Sequence, residues 1–440
     1  DIEDLVNEKY LVLDTKFFDN KFKYKLLSNF NNLDEDISGV LINSENFGAL
    51  NLLKSRFQQK IDVIYIDPPY NTSSSEIIYK NSYKHSSWLS FMDNRIGIAH
   101  SLLKNKGNIC VAIDDEEVSV TRHLLSSHFS KQIGIVPVRT NPVGRKTKGR
   151  FTPLHEYALF FGKSEGSFPC SLPKSEKGKK RYPHEDKTGR YTWLNFIRTG
   201  NNDLRTDSPK MYYPIIVSSD NNIRVPKMSW SDEEKGYIVE ENISSDEVMV
   251  YPIVTVDGIQ IEKNWQRGYV RLSDELDEYR VRRIDGQIKI DFKARMDENA
   301  LPITWWDDAK YASSNYGASE MKELFKNPLF SYPKSRELVL DCVKASGLKN
   351  DNTIVCDFFA GSGTTGDAVI KINRGDNGNR KYLLVEMGEY FDTVTKPKIQ
   401  KVIYSDSWKD GKPTTKNGVS QIFKYFNMES YEDSLNNLEL

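Results

Sequence analysis

Cysteine is scarce in this chain, with four residues among 440. They are far apart in the sequence, at Cys110, Cys170, Cys342 and Cys356. This spacing favours free thiols over a disulfide framework and is typical of a reducing compartment, so we expect a cytoplasmic protein. Long hydrophobic runs are also missing, since none approaches the roughly 18 residues that a membrane helix requires. We therefore expect neither a membrane span nor a secretory signal.

Histidine is nearly as rare, and its six residues lack the spacing of metal ligands, so no metal site is expected. An excess of positive charge is missing as well, because the net charge is −1. Basic residues nevertheless concentrate in one acid-free segment, 139–150. Such a segment suits contact with phosphates, although it could equally be a solvated loop. The candidate phosphate-binding residues are Arg139, Arg145, Lys146, Lys148 and Arg150.

The tetrapeptide Asp67-Pro68-Pro69-Tyr70 directly follows the apolar run Ile61–Ile66. A carboxylate and a proline-fixed carbonyl are two hydrogen-bond acceptors, which an exocyclic amino group of a nucleobase needs to become a nucleophile. The prolines keep the turn rigid, and the ring of Tyr70 could stack on an extruded base. The alternative is a turn at a strand end that performs no chemistry.

Residues 353–369 have the pattern of a strand, a glycine loop and a helix. The apolar, β-branched start predicts a buried parallel strand, and the glycines permit a tight turn close to a ligand. Thr364 and Asp367 fit a capping pattern, which predicts a helix that begins at Thr364. The loop lacks the Lys-Ser/Thr ending of a P-loop and the third glycine of a dinucleotide fingerprint. The candidate cofactor-binding residues are Asp357, Phe359, Gly361, Ser362, Gly363 and Thr364.

A further apolar run, residues 381–387, carries Glu386 near its end. In a doubly wound sheet, a carboxylate at the tip of the next strand reaches ribose hydroxyls. Glu386 is therefore a candidate ribose ligand, and an ordinary acid at a strand end is the alternative.

Together, the tetrapeptide and the run Phe359-Ala-Gly-Ser-Gly363 resemble the motifs of S-adenosylmethionine-dependent DNA amino-methyltransferases. The tetrapeptide precedes the glycine loop, as in the β class, and the likeness is strongest to the modification (Mod) subunits of type III restriction-modification systems. Residues 43–50 resemble the family's opening element beside the cofactor, with Ser44 and Glu45 where Gly and Asp are usual. Residues 330–335 resemble its Pro-Lys element. The resemblance adds Glu45 and Lys334 to the cofactor site, although Lys334 could be a surface lysine.

The fold class that we expect is α/β, a doubly wound, Rossmann-like methyltransferase core with an inserted β-rich target-recognition domain. Trp88 lies on an apolar helical stripe and is predicted to be a core residue. Asp257-Gly258 and Asp285-Gly286 predict two hairpin turns in the insert. The expected segments are an N-terminal extension at 1–39, a catalytic half at 40–165, the target-recognition domain at 166–300, a cofactor-binding half at 301–404 and a C-terminal appendage at 405–440.

The resemblance implies transfer of the methyl group of S-adenosyl-L-methionine to N6 of an adenine flipped out of duplex DNA. It also implies a homodimer and an associated restriction (helicase-nuclease) subunit. Within the insert, Arg205 is a candidate for reading bases, and a turn arginine bonded to backbone carbonyls is the alternative. Two other functions stay open. One is N4 methylation of cytosine, for which Ser is usual at the first position of the tetrapeptide, and the other is a catalytically silent DNA-recognition subunit.

Overall fold

The structure is a computed structural model, and it describes residues 8–71, 85–144, 149, 151–327, 329–348 and 351–429. The chain divides into two compact units. The core unit comprises Asp1–Leu172 and Asn299–Leu440, and the inserted unit comprises Pro173–Glu298. The observed insert is slightly shorter than the expected segment 166–300.

An eight-stranded sheet forms the centre of the core unit. Its strands are β1 (Ile37–Asn43), β2 (Ile61–Ile66), β3 (Leu103–Ile113), β4 (Lys131–Val138), β5 (Glu156–Gly162), β6 (Ile354–Asp357), β7 (Lys381–Glu386) and β8 (Ile422–Asn427). Their order across the sheet is β8-β1-β7-β6-β2-β3-β5-β4. Neighbours pair in parallel except for β5, which is antiparallel to β3 and β4.

Helices cover both faces of this sheet. They are α1 (Asn20–Leu27), α2 (Leu33–Asp36), α3 (Asn46–Phe57), α4 (His85–Leu102), α5 (Val118–His128), α6 (Ala318–Phe325), α7 (Arg336–Ala345), α8 (Thr364–Asp376) and α9 (Thr395–Tyr404). Side chains of α3, α4 and α5 pack on one face, and those of α7, α8 and α9 pack on the other. A parallel sheet buries both faces in this way, and the expected α/β core is confirmed. None of the helices within the described ranges is long and apolar enough to span a bilayer.

The strand, loop and helix predicted for residues 353–369 are present, because β6 ends at Asp357 and α8 begins at Thr364. The predicted cap is wrong. Gly363 is the N-cap residue, in the left-handed conformation with φ of 82°, and no side chain caps the helix. The Thr364 hydroxyl instead accepts a hydrogen bond from Lys398 at 3.0 Å. Asp367 lies 3.5 Å from Arg336 and 3.7 Å from Lys398, so ion pairing has replaced capping.

The terminal segments contribute to the core sheet more than the sequence suggested. The segment 405–440 was expected to be a C-terminal appendage, and it supplies β8, which pairs in parallel with β1. Strand β1 itself begins at Ile37, within the expected N-terminal extension 1–39. Strand β8 lies at the edge of the sheet, where backbone pairing stabilises a strand and leaves only a weak signal in side-chain periodicity.

The inserted unit is mostly antiparallel β-structure around its own core. That core contains Phe196, Tyr213, Trp265 and Phe292, all largely buried. Both predicted hairpins are present, with positive φ at Asp257, Gly258, Asp285 and Gly286 as such turns require. Its longer strands are Gly189–Asn195, Ile215–Ser218, Met228–Ser231, Gly236–Val239, Glu247–Val250, Ile253–Val256, Ile259–Glu262, Tyr279–Ile284 and Gln287–Arg295, and its longest helix is Tyr269–Asp274.

Candidate active site

The two predicted motifs meet at one edge of the central sheet. Asp67 follows β2, the glycine loop follows β6, and these strands are parallel neighbours. Since the carboxyl ends of parallel strands lie at the same edge, both motifs face a common crevice. One cavity of the core unit is lined by the whole tetrapeptide, by most of the glycine loop, and by Asp114, Glu156, Phe330 and Lys334.

The tetrapeptide turn is held by a residue that we expected only in the core. The indole N–H of Trp88 donates a hydrogen bond to the Pro69 carbonyl at 2.9 Å. Trp88 is almost fully buried in α4. Its periodicity predicted the burial correctly and missed the hydrogen bond. A buried indole N–H generally needs an acceptor, which was the available signal.

Asp67 lies in a network of buried charges. Its Oδ1 atom is 3.4 Å from the ammonium group of Lys334, and it accepts no hydrogen bond from the part of the chain that the structure describes. Burial raises the pKa of Asp67, the Lys334 ammonium acts in the opposite direction, and the Glu156 carboxylate raises the pKa further. Asp67 is therefore an acceptor with unused hydrogen-bonding capacity inside a cavity.

Lys334 connects the catalytic residues to one another. Its ammonium donates hydrogen bonds to the Tyr70 hydroxyl and to Glu156, and the Tyr70 hydroxyl also donates to Glu156 at 3.0 Å. The sequence resemblance put Lys334 in the cofactor site. It does line the shared cavity, but its contacts are with the tetrapeptide. Sequence reasoning missed Glu156, because nothing in a strand-like segment distinguishes it from a surface acid.

The glycine loop is fastened to β7 by Glu386. One carboxylate oxygen accepts a hydrogen bond from the Gly361 N–H at 2.7 Å, and the other accepts from the N–H groups of Met387 and Gly388 at 2.9 Å and 2.8 Å. Glu386 is only 2% exposed. Its place at the tip of the strand is as expected, while ribose binding by Glu386 stays a prediction.

Other predicted cofactor residues divide into those that line the cavity and those behind it. Asp357, Phe359, Gly361, Ser362 and Thr364 line it. Asp357 is buried, which raises its pKa to about 7, although the Thr365 hydroxyl and the Phe359 N–H donate hydrogen bonds to it. Gly363 and Glu45 lie outside the lining that the described residues form.

Glu45 has a clear local role at the start of α3. Its carboxylate accepts a hydrogen bond from the Gly48 N–H at 3.1 Å, which caps the helix. It also forms an ion pair with Arg95. The adjacent Ser44 N–H donates to the Glu386 carbonyl at 3.0 Å, so Glu45 stands at the same sheet edge as the glycine loop. Contact between Glu45 and a cofactor stays a prediction.

The candidate DNA-binding residues belong to different units of the chain. Arg139 is exposed, and its guanidinium lies 3.4 Å from the Pro142 carbonyl. Arg145, Lys146, Lys148 and Arg150 fall outside the described residues. Arg205 belongs to the inserted unit. There it pairs with Glu262 at 3.0 Å, donates to the Lys235 carbonyl at 3.2 Å and packs over the ring of Tyr212. No group of three or more potential metal ligands occurs within the described ranges.

Known proteins are similar in sequence to this chain over most of its length. The profile of the DNA methylase (N6_N4_Mtase) family matches residues 61–396. The chain is 28% identical over 431 residues to the type III restriction-modification enzyme EcoPI Mod subunit of Escherichia phage P1, covering 89% of this chain and 63% of that protein. It is 28% identical over 384 residues to the type II methyltransferase M.KpnI of Klebsiella pneumoniae, covering 83% and 84%. It spans only 53% of a third relative, the StyLTI Mod subunit of Salmonella typhimurium.

Structural comparison matches the chain to the M1.HpyAVI–SAM complex with a TM-score of 0.37 and 13% sequence identity. The match covers 82% of this chain and 99% of that one. The cytosine-N4-specific PvuII DNA methyltransferase gives a TM-score of 0.40, 12% identity, and coverage of 83% and 86%.

The family match includes both the tetrapeptide and the glycine loop, and it extends over more than half of the chain. The similarity to Mod subunits confirms the resemblance that the motifs indicated. The chain belongs to the N6_N4_Mtase family of DNA methylases.

Proposed function

We propose that this chain is a site-specific DNA methyltransferase that transfers the methyl group of S-adenosyl-L-methionine to N6 of an adenine flipped out of duplex DNA. One observation carries the proposal: the Asp67 carboxylate and the glycine loop open onto the same cavity. An acceptor for an amino group and a candidate cofactor loop therefore share one site, which a silent recognition subunit would not need. Membership of a DNA methylase family supports the class of substrate.

An aromatic amine is a weak nucleophile. Its lone pair is delocalised into the ring, so the protein must hold both N–H bonds and align the nitrogen for attack. Asp67 and the Pro68 carbonyl are the proposed acceptors, and Oδ1 of Asp67 accepts no hydrogen bond from the described residues. Pro69 stiffens the turn. Tyr70, with its hydroxyl fixed 3.0 Å from Glu156, is the proposed surface on which the base stacks.

S-adenosyl-L-methionine, when bound, supplies a methyl group on a sulfonium centre that is strongly electrophilic without a metal. The proposed binding set is Asp357, Phe359, Gly361, Ser362, Gly363, Thr364, Glu386, Lys334 and Glu45. The loop fits such a ligand, because a Cβ at Gly361 would lie 3.5 Å from the Phe330 ring and would narrow the cavity. Gly361 also has a φ of 53°, a left-handed conformation that favours glycine at this position of the loop.

The proposed DNA contacts begin at the mouth of the cavity. The Thr140 carbonyl, at the start of the basic segment 139–150, accepts a hydrogen bond from the Ser313 N–H at 3.1 Å, and Ser313 lines the cavity. The start of the segment is thus close to the site. Phosphate contacts there would hold DNA around a flipped base. The proposed phosphate-binding residues are Arg139, Arg145, Lys146, Lys148 and Arg150, and Arg205 in the inserted unit is proposed to read bases.

We further infer a homodimer that associates with a restriction (helicase-nuclease) subunit as the modification component of a restriction-modification system. Two relatives that bear the name Mod subunit support this inference. Light scattering at micromolar concentration tests the first part. A molar mass near twice the 50.7 kDa of the chain is expected, and a monomer would contradict the dimer.

The reaction is tested by incubating the protein with methyl-labelled S-adenosyl-L-methionine and mixed-sequence duplex DNA, followed by analysis of the product nucleosides. N6-methyladenine at a short site is the expected product. N4-methylcytosine would contradict adenine as the target base, but it would still support methyl transfer to an exocyclic amine. A protein that binds DNA and S-adenosyl-L-methionine without labelling either base would overturn the enzymatic proposal.

A further inference from the structure

We propose that Lys334 and Glu156 form a positioning pair of opposite charges that fixes the Tyr70 ring and sets the electrostatic environment of Asp67 for catalysis. This inference rests on the proposed methyl transfer and deepens it. Neither residue belongs to the tetrapeptide, and they are 178 positions apart in the chain. They meet because β5 presents Glu156 and the segment before α7 presents Lys334 at the edge of the sheet that carries the tetrapeptide.

The backbone around Lys334 is closely packed against neighbouring segments. A Cβ added to Gly317 would lie 2.2 Å from the Pro333 carbonyl oxygen, so the two segments touch there. The next residue, Ser335, is fully buried, and its hydroxyl donates to the Lys310 carbonyl at 2.6 Å. The Lys334 side chain is only 10% exposed. A long lysine side chain held in this way loses less conformational freedom on binding its partners, so it can serve as a fixed charge.

The ammonium group of Lys334 has three oxygen neighbours. It donates to Glu156 at 2.5 Å and to the Tyr70 hydroxyl, and it lies 3.4 Å from Asp67. The ammonium is also 4.6 Å from the centre of the Tyr70 ring. The Glu156 carboxylate also accepts a hydrogen bond from the Tyr70 hydroxyl at 3.0 Å. The pair therefore fixes both the position of the phenol and the charge beside Asp67.

Several titratable groups lie near Asp67 or line the same cavity. The acids are Glu156 at the start of β5, Asp114 after β3 and Asp357 at the end of β6, and burial raises the pKa of the last two to about 7. The other titratable groups near Asp67 are the phenols of Tyr65 and Tyr70 and the thiol of Cys110, each with its pKa raised by burial. Lys334 is the cation that opposes Asp67's burial. Without it, Asp67 would more readily take up a proton and lose its acceptor capacity.

The chemical step explains why an ionised carboxylate matters. The amino lone pair forms the N–C bond, the methyl–sulfur bond breaks with its electron pair remaining on sulfur, and one proton must leave the nitrogen. An ionised Asp67 can hold that N–H before the transfer and take the proton as positive charge develops on nitrogen. Glu156 also binds the ammonium of Lys334, which weakens the interaction between Lys334 and Asp67. Asp67 therefore remains a good hydrogen-bond acceptor.

The test is a pH profile of single-turnover methyl transfer at saturating DNA and S-adenosyl-L-methionine. Lys334→Met removes the cation, so the acidic limb of the profile is expected to move up by about one pH unit or more. Glu156→Gln removes the competing anion, so the limb is expected to move down. Lys334→Arg retains the charge and should leave the limb within a few tenths of a pH unit. Lys104→Met, which breaks a surface pair with Asp62 at 2.7 Å, is the matched control and should not move it.

A purely structural role predicts a different result, in which both variants lose activity equally at every pH and the limb stays in place. That outcome would overturn the proposal. Carbon-13 NMR titration of labelled aspartate carboxyls, assigned with Asp67→Asn, gives a readout without DNA or methyl transfer. The Asp67 signal should titrate at higher pH in Lys334→Met and at lower pH in Glu156→Gln. An unmoved Asp67 titration refutes the pair even if methyl transfer occurs, whereas wild-type protein with no methyl transfer refutes only the proposed function.

Discussion

At the scale of single residues, the candidate site consists of polar groups that are buried and then held by specific partners. The Pro69 carbonyl has the Trp88 indole, the Glu386 carboxylate has three backbone N–H groups, and Asp357 has Thr365 and Phe359. Asp67 differs, because its Oδ1 atom accepts no hydrogen bond within the described ranges. Burying polar groups is costly unless they are paired, so Asp67's unused acceptor capacity indicates a role with a bound molecule.

Replacing Trp88 with Phe should loosen the tetrapeptide turn. The variant removes the donor to Pro69 and leaves a carbonyl without its partner, which is expected to lower the free energy of unfolding by about 1–3 kcal/mol. Urea denaturation measures that loss, and kcat should fall with little change in the KM for S-adenosyl-L-methionine. Trp305→Phe is the control, because Trp305 is 53% exposed. Equal stability of Trp88→Phe and the wild type would contradict the role of this hydrogen bond.

The raised pKa of Asp357 predicts a pH-dependent stability. Burial raises this pKa to about 7, above the unfolded value of 3.8. Between those values the folded protein holds a proton that the unfolded chain has released. The contribution to stability is therefore complete below pH 3.8 and is lost as the pH rises to about 7. Asp357→Asn cannot ionise, so the free energy of unfolding should fall less steeply over this window. Urea titrations at pH 5, 6, 7 and 8 for both proteins measure the difference, and identical slopes would rule it out.

At the scale of elements, the glycine loop is the junction on which the cofactor proposal depends. Its turn uses positive φ at Gly361 and Gly363, and the Thr395 hydroxyl secures it by donating to the Gly361 carbonyl at 2.6 Å. Helix α8 starts directly after this turn without a side-chain cap, and its first residues, Thr364 and Thr365, line the cavity. Such a helix start favours oxygen-rich or anionic ligand groups.

Gly363→Ala should therefore disturb the loop. The residue has φ of 82°, and a Cβ there would lie 3.4 Å from Thr395. The left-handed conformation costs a non-glycine residue about 1–2 kcal/mol, so both stability and affinity for S-adenosyl-L-methionine should decrease. Gly375→Ala in the same helix is the matched control, since a Cβ there meets nothing within 4 Å. That control should be neutral or stabilising by up to about 1 kcal/mol. Calorimetry measures both properties, and unchanged binding by Gly363→Ala would contradict the assignment.

Local elements were the part of the fold that sequence could predict. The hairpins at Asp257-Gly258 and Asp285-Gly286 depend on two adjacent residues, and both are present. The strand, loop and helix around Gly361 likewise depend on a short run of neighbours. The prediction of a cap at Thr364 was wrong, because Asp367 forms ion pairs with Arg336 and Lys398 from other helices. The contact between Lys334 and Glu156 was also not predictable, since it depends on which sheet edges the chain brings together.

At the scale of the whole molecule, the parallel sheet brings distant motifs together while the insert keeps a separate core. The tetrapeptide and the glycine loop are almost 300 residues apart, yet they follow neighbouring strands. The inserted unit has its own buried cluster, in which Trp265 stacks on Phe196 with ring centres 5.0 Å apart. Separate cores predict that each unit can be destabilised without the other.

Trp265→Ala tests that independence. Trp265 is 1% exposed, and its indole N–H donates to the Tyr213 carbonyl at 2.7 Å. Its loss should destabilise the inserted unit by about 3–5 kcal/mol. Hydrogen exchange should then show faster exchange within 173–298, with the core unit unchanged and binding of S-adenosyl-L-methionine retained. Ile259→Ala, at a residue that is 67% exposed in the same unit, should have little effect. Loss of protection throughout the chain would contradict two separately stable units.

The central claim is that Asp67 acts on a nucleobase amine, and its most direct test is single-turnover methyl transfer by wild-type protein and by Asp67→Asn. Both are assayed on the same target duplex at saturating concentration, and DNA binding is measured in parallel. The amide keeps the shape of the side chain but presents a weaker acceptor and cannot take the proton. We predict N6-methyladenine from the wild type, a rate lower by about 10²–10³-fold or more for the variant, and DNA affinity within a few-fold of the wild type. Equal rates would contradict the account.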